Sequence, residues 1–167
     1  MDGDWYLIGR VALSLGLGYA IGWERALRGH AAGDRTFALL AMGAAGFATV
    51  VVESGNTDAV SRAVQGVAAG VGFIGAAVTW RREDASGSTS PPYAATANGA
   101  NAKAATKGLT TAAAVWAVVA IGLLCGTGKL LLATAMAVMV LVLLELRFMP
   151  FVRGLDPRRF RDRYFED

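Results

Sequence analysis

Apolar positions fill five stretches of this chain, and the charges gather in the gaps between them. The stretches are 5–23, broken only by Arg10; 36–52, 63–80 and 108–126, which carry no charge; and 130–148, where Glu145 and Arg147 stand at the end. A helix crosses a bilayer with roughly 17–25 mostly apolar residues, and each stretch lies near the short end of that range. A helix in a water-soluble core keeps one polar face, whereas these five are apolar on every face in succession. The pattern predicts an all-α, polytopic membrane protein with about five transmembrane helices, whose surroundings are the lipid bilayer.

Composition supports this reading. Apolar residues make up 54% of the chain and charged residues 17%, against about 25% charge in an average soluble domain. Disorder, a coiled coil and a disulfide scaffold are excluded. The single cysteine, Cys125, leaves no intrachain disulfide and no Cys/His metal cluster. Met1-Asp2-Gly3-Asp4 has neither the basic start nor the cleavage site of a secretory signal, so the first stretch is expected to stay in the mature protein. The length fits one domain: a membrane domain over 1–150 and a basic tail over 151–167. Residues 83–107, rich in Ala, Ser, Thr, Gly and Asn, read as a flexible cytoplasmic linker.

The formal net charge of +3 is a matter of topology. Arg25, Arg28 and Arg35 follow the first stretch. Arg81, Arg82, Lys103 and Lys107 follow the third. Arg147, Arg153, Arg158, Arg159, Arg161 and Arg163 close the chain. Only Arg10, Arg62 and Lys129 fall on the other side. Because basic loops stay in the cytoplasm, the N-terminus is expected outside and the C-terminus inside. Trp5, Tyr6, Trp23, Trp80 and Phe148 sit at the expected interfaces, while Trp116 falls within the fourth span and is expected to pack between helices. No basic-aromatic module for nucleic acid is present.

Gly70-Val71-Gly72-Phe73-Ile74-Gly75 matches G-x-G-x-x-G, but inside an apolar span the pattern reads as close helix packing rather than nucleotide binding. Gly66 and Gly70, like Gly18 and Gly22, form small-x-x-x-small faces that let backbones approach. The segment 122–129 resembles a phosphate loop only superficially, since Leu130 stands where Ser or Thr is required.

The chemistry concentrates at the loop between the first two spans. Gly22-Trp23-Glu24-Arg25 ends one span and Gly33-Asp34-Arg35-Thr36 begins the next. Ionisable groups at a membrane boundary are costly unless paired, so these residues form either an ion-pair clasp for the turn or a ligand, ion or partner site. Lys107-Gly108-Leu109-Thr110-Thr111 opens the fourth span on the same side. Two helix N-termini would then share one rim with Arg35, Thr36, Thr110 and Thr111, a setting suited to an anion. The alternative is plain capping by the threonines. No metal site is assigned; Glu24 and Asp34 are the only acids near enough to serve, and each neighbours an arginine. His30 is assigned no role. No catalytic set is visible, and no cofactor is implied.

These segments resemble the MgtC/SapB family of bacterial inner-membrane proteins. The matching blocks are 21–47, with its E-R and A-G-x-R-T elements, 61–78, with G-x-G-F-x-G-A, and 107–128, with G-L-T-T-A-A-x-x-W. The resemblance implies a multi-pass inner-membrane protein tied to survival in low magnesium and to virulence. It also implies a regulator of other membrane proteins, the ATP synthase among them, rather than a pump. By motif it points to Glu24, Arg25, Gly33, Arg35 and Thr36, then to Gly72, Phe73, Gly75, Gly108, Thr110, Thr111 and Trp116. Better-known members carry a further ACT-like cytoplasmic domain, which this chain is expected to lack. Its linker is longer than the family's, and Asp34 stands where an apolar residue is usual. The alternative function is a small homo-oligomeric channel or transporter for Mg²⁺ or an anion, with its pathway between subunits.

Overall fold

A computed structural model describes residues 2–30, 32–84 and 99–146. Five helices follow one another: α1 (Asp2–Leu27), α2 (Asp34–Glu53), α3 (Thr57–Asp84), α4 (Gly99–Gly126) and α5 (Leu130–Leu146), with no strand among the described residues. Helices are what an apolar chain must form in lipid, where every backbone N–H and C=O needs an internal partner. Four helices are long and apolar enough to cross a membrane, and α5 is a shorter apolar helix of 17 residues. The chain is a multi-pass membrane protein.

The turns are tight and locally encoded. After α1, Gly29 adopts a φ of +67° while its N–H reaches Ala26 O and the His30 N–H reaches Arg25 O. After α4, Gly128 (φ +81°) repeats the arrangement with Cys125 O and Leu124 O. Both are helix ends closed by a left-handed glycine, a conformation that a Cβ disfavours. Asn56 begins α3 by accepting the N–H groups of Asp58 and Ala59 on its side-chain oxygen.

α4 is the hub, packed against every other helix. Its buried stripe of Thr111, Ala114, Val115, Val118, Ile121 and Cys125 repeats at three- and four-residue steps. α2 meets it with Ala41, Ala44, Ala45 and Ala48, all buried. Van der Waals packing of close-set small residues holds such an interface, because lipid leaves no hydrophobic drive between helices. A Cβ on Gly122 would strike the Ala41 carbonyl oxygen, and one on Gly126 the Ala45 carbonyl oxygen. On the other side of α2, a Cβ at Gly18 would lie 2.7 Å from the Ala41 Cβ, and one at Gly22 would lie 2.6 Å from the Asp34 Cα.

Several expectations need correction. Nothing lies within 4 Å of a Cβ built at Gly66, Gly70 or Gly72, and Gly75 meets only the Ala112 side chain at an ordinary 3.6 Å. The α3 glycines therefore do not carry the close packing; Gly122 and Gly126 do. Trp116 is 47% exposed. It sits well round α4 from the buried stripe, so it faces outward instead of packing between helices. The proposed linker is helical at both ends: residues 83–84 finish α3 and 99–107 begin α4. Alanine, frequent after residue 99, is the strongest helix former. Residues 85–98 and the tail 151–167 lie outside the described residues.

Candidate functional site

Five side chains from three helices and one turn meet at the end of the bundle that holds the α1–α2 connection. Glu24 and Arg25 close the last turn of α1, where both are buried. Arg28, four residues after Glu24, lies on the same helical row and its Nε reaches Glu24 Oε1. The Nη2 of Arg28 donates to Glu145 Oε2 at 2.6 Å, at the far end of α5. Arg25 turns inward: its Nη2 donates to Thr111 Oγ1 of α4 at 3.1 Å, while Nη1 stands 4.0 Å from Glu24 Oε2. His30 folds back, with Nδ1 3.2 Å from the Arg25 carbonyl oxygen.

The four charges form a chain, Arg25–Glu24–Arg28–Glu145, that sums to zero. Such compensation is what permits charge at a membrane boundary. The hydrogen bond it donates to Glu145 holds the Arg28 guanidinium above its ordinary range, and Glu24 adds to the effect. Satisfaction is incomplete, however. Arg25 Nε has no acceptor, and the Glu24 oxygens, though paired in charge, receive no well-directed hydrogen bond.

Of the residues singled out by sequence, Glu24, Arg25 and Thr111 are brought together. Asp34, Arg35, Thr36 and Thr110 are not. Arg35, Thr36 and Thr110 are exposed, and the Asp34 carboxylate accepts the backbone N–H of Arg35 at 2.8 Å. The idea of two helix N-termini sharing a rim also changes. Because α4 begins at Gly99, Thr110 and Thr111 lie about 17–18 Å along it at 1.5 Å per residue, so they neither cap it nor feel its terminal dipole. No group of three or more acids, His or Cys able to hold a metal occurs among the described residues. Arg28 and Glu145 escaped the sequence reading as site residues. The signal for Arg28 was its four-residue spacing from Glu24; for Glu145 it was an acid at the end of an otherwise uncharged span.

A second polar cluster marks the opposite end. Arg10 Nη1 donates to Gly126 O at 3.3 Å and its guanidinium lies 4.2 Å above the Tyr6 ring. A cation at the C-terminus of α4 meets its unpaired carbonyls and its dipole, which explains a charge inside the first span.

Comparison with known proteins finds one family and several relatives. The model of the MgtC family matches residues 11–149. SrpB of Synechococcus elongatus is 39% identical over 134 residues, covering 76% of this chain and 67% of SrpB. MgtC of Salmonella typhimurium is 36% identical over 138 residues, covering 81% of this chain and 49% of that protein. MgtC of Brucella abortus is 30% identical over 150 residues, covering 90% of this chain and 54% of that protein. This chain spans about half the length of the MgtC relatives it matches. No solved structure matches it.

Proposed function

This chain belongs to the MgtC family, and from that membership we propose that it is a non-enzymatic protein of the bacterial inner membrane that modulates a membrane partner, and through it magnesium or phosphate homeostasis. Low magnesium and virulence are the settings the family resemblance implies, and the ATP synthase is the first partner to test. The N-terminus faces outward and the charged chain Arg25–Glu24–Arg28–Glu145 lies at the cytoplasmic face, in line with the basic loops.

One observation carries the preference for a modulator over an ion conductor. Both acids of the charged chain are occupied by arginines of the same protomer, so they fasten the end of α1 to α5 instead of waiting for a cation. The exposed Arg35, Thr36 and Thr110, at the same end of the bundle but outside that chain, are free to meet a partner.

Purified protein in liposomes tests the reading through Mg²⁺ or phosphate flux. The expected result is no flux, together with a partner recovered by cross-linking at position 35 in native membranes. Saturable flux that Glu24→Gln abolishes would replace the modulator with the homo-oligomeric transporter. Cysteines placed at positions 35 and 56 and labelled in intact cells test the orientation; position 56 should react from the periplasm and position 35 should not.

A further inference from the structure

α2 and α3 leave between them a slot of about 500 Å³ floored by Val119 of α4. Every lining residue is aliphatic, aromatic or glycine, with Leu39, Phe47 and Val51 on the α2 wall and Gly66 and Gly70 on the α3 wall. The two glycines keep it open, since nothing lies within 4 Å of where their Cβ atoms would be. From Leu39 to Val51 the wall is about 18 Å long at 1.5 Å per residue. Half of a bilayer's hydrocarbon core is about 15 Å. Volume over length, with the radius of a water molecule added at each wall, gives a mean width of about 9 Å, short of the roughly 10–12 Å that a helix with its side chains needs. The slot is one leaflet long and apolar along its whole length, which suits hydrocarbon.

Its mouth carries a matching charge. Arg62, Gly66 and Gly70 stand four residues apart, so they share one row of α3. Helical side chains lean toward the N-terminus, which directs Arg62 along that row toward the membrane surface at the α2–α3 turn. Arg62 is exposed. Among the described residues the ion pairs are confined to Glu24, Arg25, Arg28 and Glu145, so Arg62 is in direct contact neither with Asp58, one turn before it, nor with Glu53. A guanidinium in this position fits a phosphate, which it can hold with two hydrogen bonds. We propose that a bilayer phospholipid is seated here, one acyl chain lying in the slot between α2 and α3 and its phosphate paired with Arg62. The lipid completes the packing of α3, the least buried of the four long spans.

The test uses the full chain in maltoside detergent, with Phe47→Trp as a reporter in the slot wall and the unsubstituted protein as the background for the native tryptophans. The probe is phosphatidylglycerol with brominated acyl chains, compared with diacylglycerol carrying the same chains. The phospholipid is expected to quench the reporter saturably, and the diacylglycerol to need about fivefold more lipid, the increment of one basic side chain at a membrane surface. Arg62→Ala should erase that difference, and Gly70→Leu should remove the saturable quenching altogether. Since Arg62 is exposed, its substitution keeps the test decisive even if the leucine disturbs folding. Equal potency of the two lipids, quenching no stronger than that of the native tryptophans, or a reporter shielded by a second copy of the chain would each overturn the proposal.

Discussion

The guanidinium of Arg25 and the hydroxyl of Thr111 are joined by a 3.1 Å hydrogen bond across 86 residues of chain, and both side chains are buried. The bond ties the end of α1 to the middle of α4. Thr111→Val keeps the shape but leaves a buried cation short of an acceptor, an omission that costs about 1–3 kcal/mol. A lowered melting temperature in detergent is expected, with Thr111→Ser close to the parent protein. Equal melting of all three would show that the bond holds nothing.

Glu24 and Glu145 both pair with Arg28, yet their losses should differ. Glu24 is buried and Glu145 is 46% exposed at its side chain. Removing Glu24 strands Arg25 without a nearby counter-charge, whereas removing Glu145 leaves Arg28 its partner Glu24 and access to solvent. Glu24→Ala is therefore expected to lower the yield of folded protein sharply and Glu145→Ala slightly, with the Glu145→Ala effect fading in high salt. The reverse order, read by size-exclusion profile and melting temperature, would contradict the pairing.

Glycines with the same sequence pattern should respond in opposite ways. Gly122→Ala and Gly126→Ala push a methyl into the α2 backbone, and overpacking of this kind costs about 1–3 kcal/mol. Gly66→Ala and Gly72→Ala meet open space, and a helical glycine replaced by alanine gains about 0.5–1 kcal/mol. Thermal melting of the four variants checks the split.

That contrast shows where the sequence was legible. Five apolar stretches translate into helices because lipid permits little else, so the architecture was readable from hydropathy alone. Glu24 and Arg25 stood out because charge at a span's edge demands a partner. Small-x-x-x-small, by contrast, says only that two backbones can approach; whether one does depends on the helix opposite. Gly122 and Gly126 face the alanines of α2, while Gly66 and Gly70 face a gap. Glu145 could not be tied to Arg28 across 117 residues without knowing that α5 returns to α1. Thr111 was found for the wrong reason, as the start of a helix that begins at Gly99.

Arg10 offers a prediction at the other end of the bundle. Its guanidinium covers the α4 terminus, and a Cβ on Gly128 would lie 2.9 Å from its Nη2. Gly128→Ala thus meets a strained φ of +81° and the arginine together. The double variant Gly128→Ala/Arg10→Ala removes the clash but keeps the strain. It should melt above the sum expected from the two single changes, because contacting sites are not additive.

Arg35 separates stability from function. It is exposed and, among the described residues, its side chain makes no ion pair or hydrogen bond. Surface substitutions of this kind usually change stability by less than about 0.5 kcal/mol. Arg35→Ala and Arg35→Glu should therefore melt with the parent protein. If the exposed residues at this end of the bundle meet a partner, the same variants will lose cross-linking in native membranes, more completely for the charge reversal. Undiminished cross-linking in both would move the contact away from this end of α2. A fall in melting temperature would instead make Arg35 part of the fold, and its loss of function would no longer mark a docking surface.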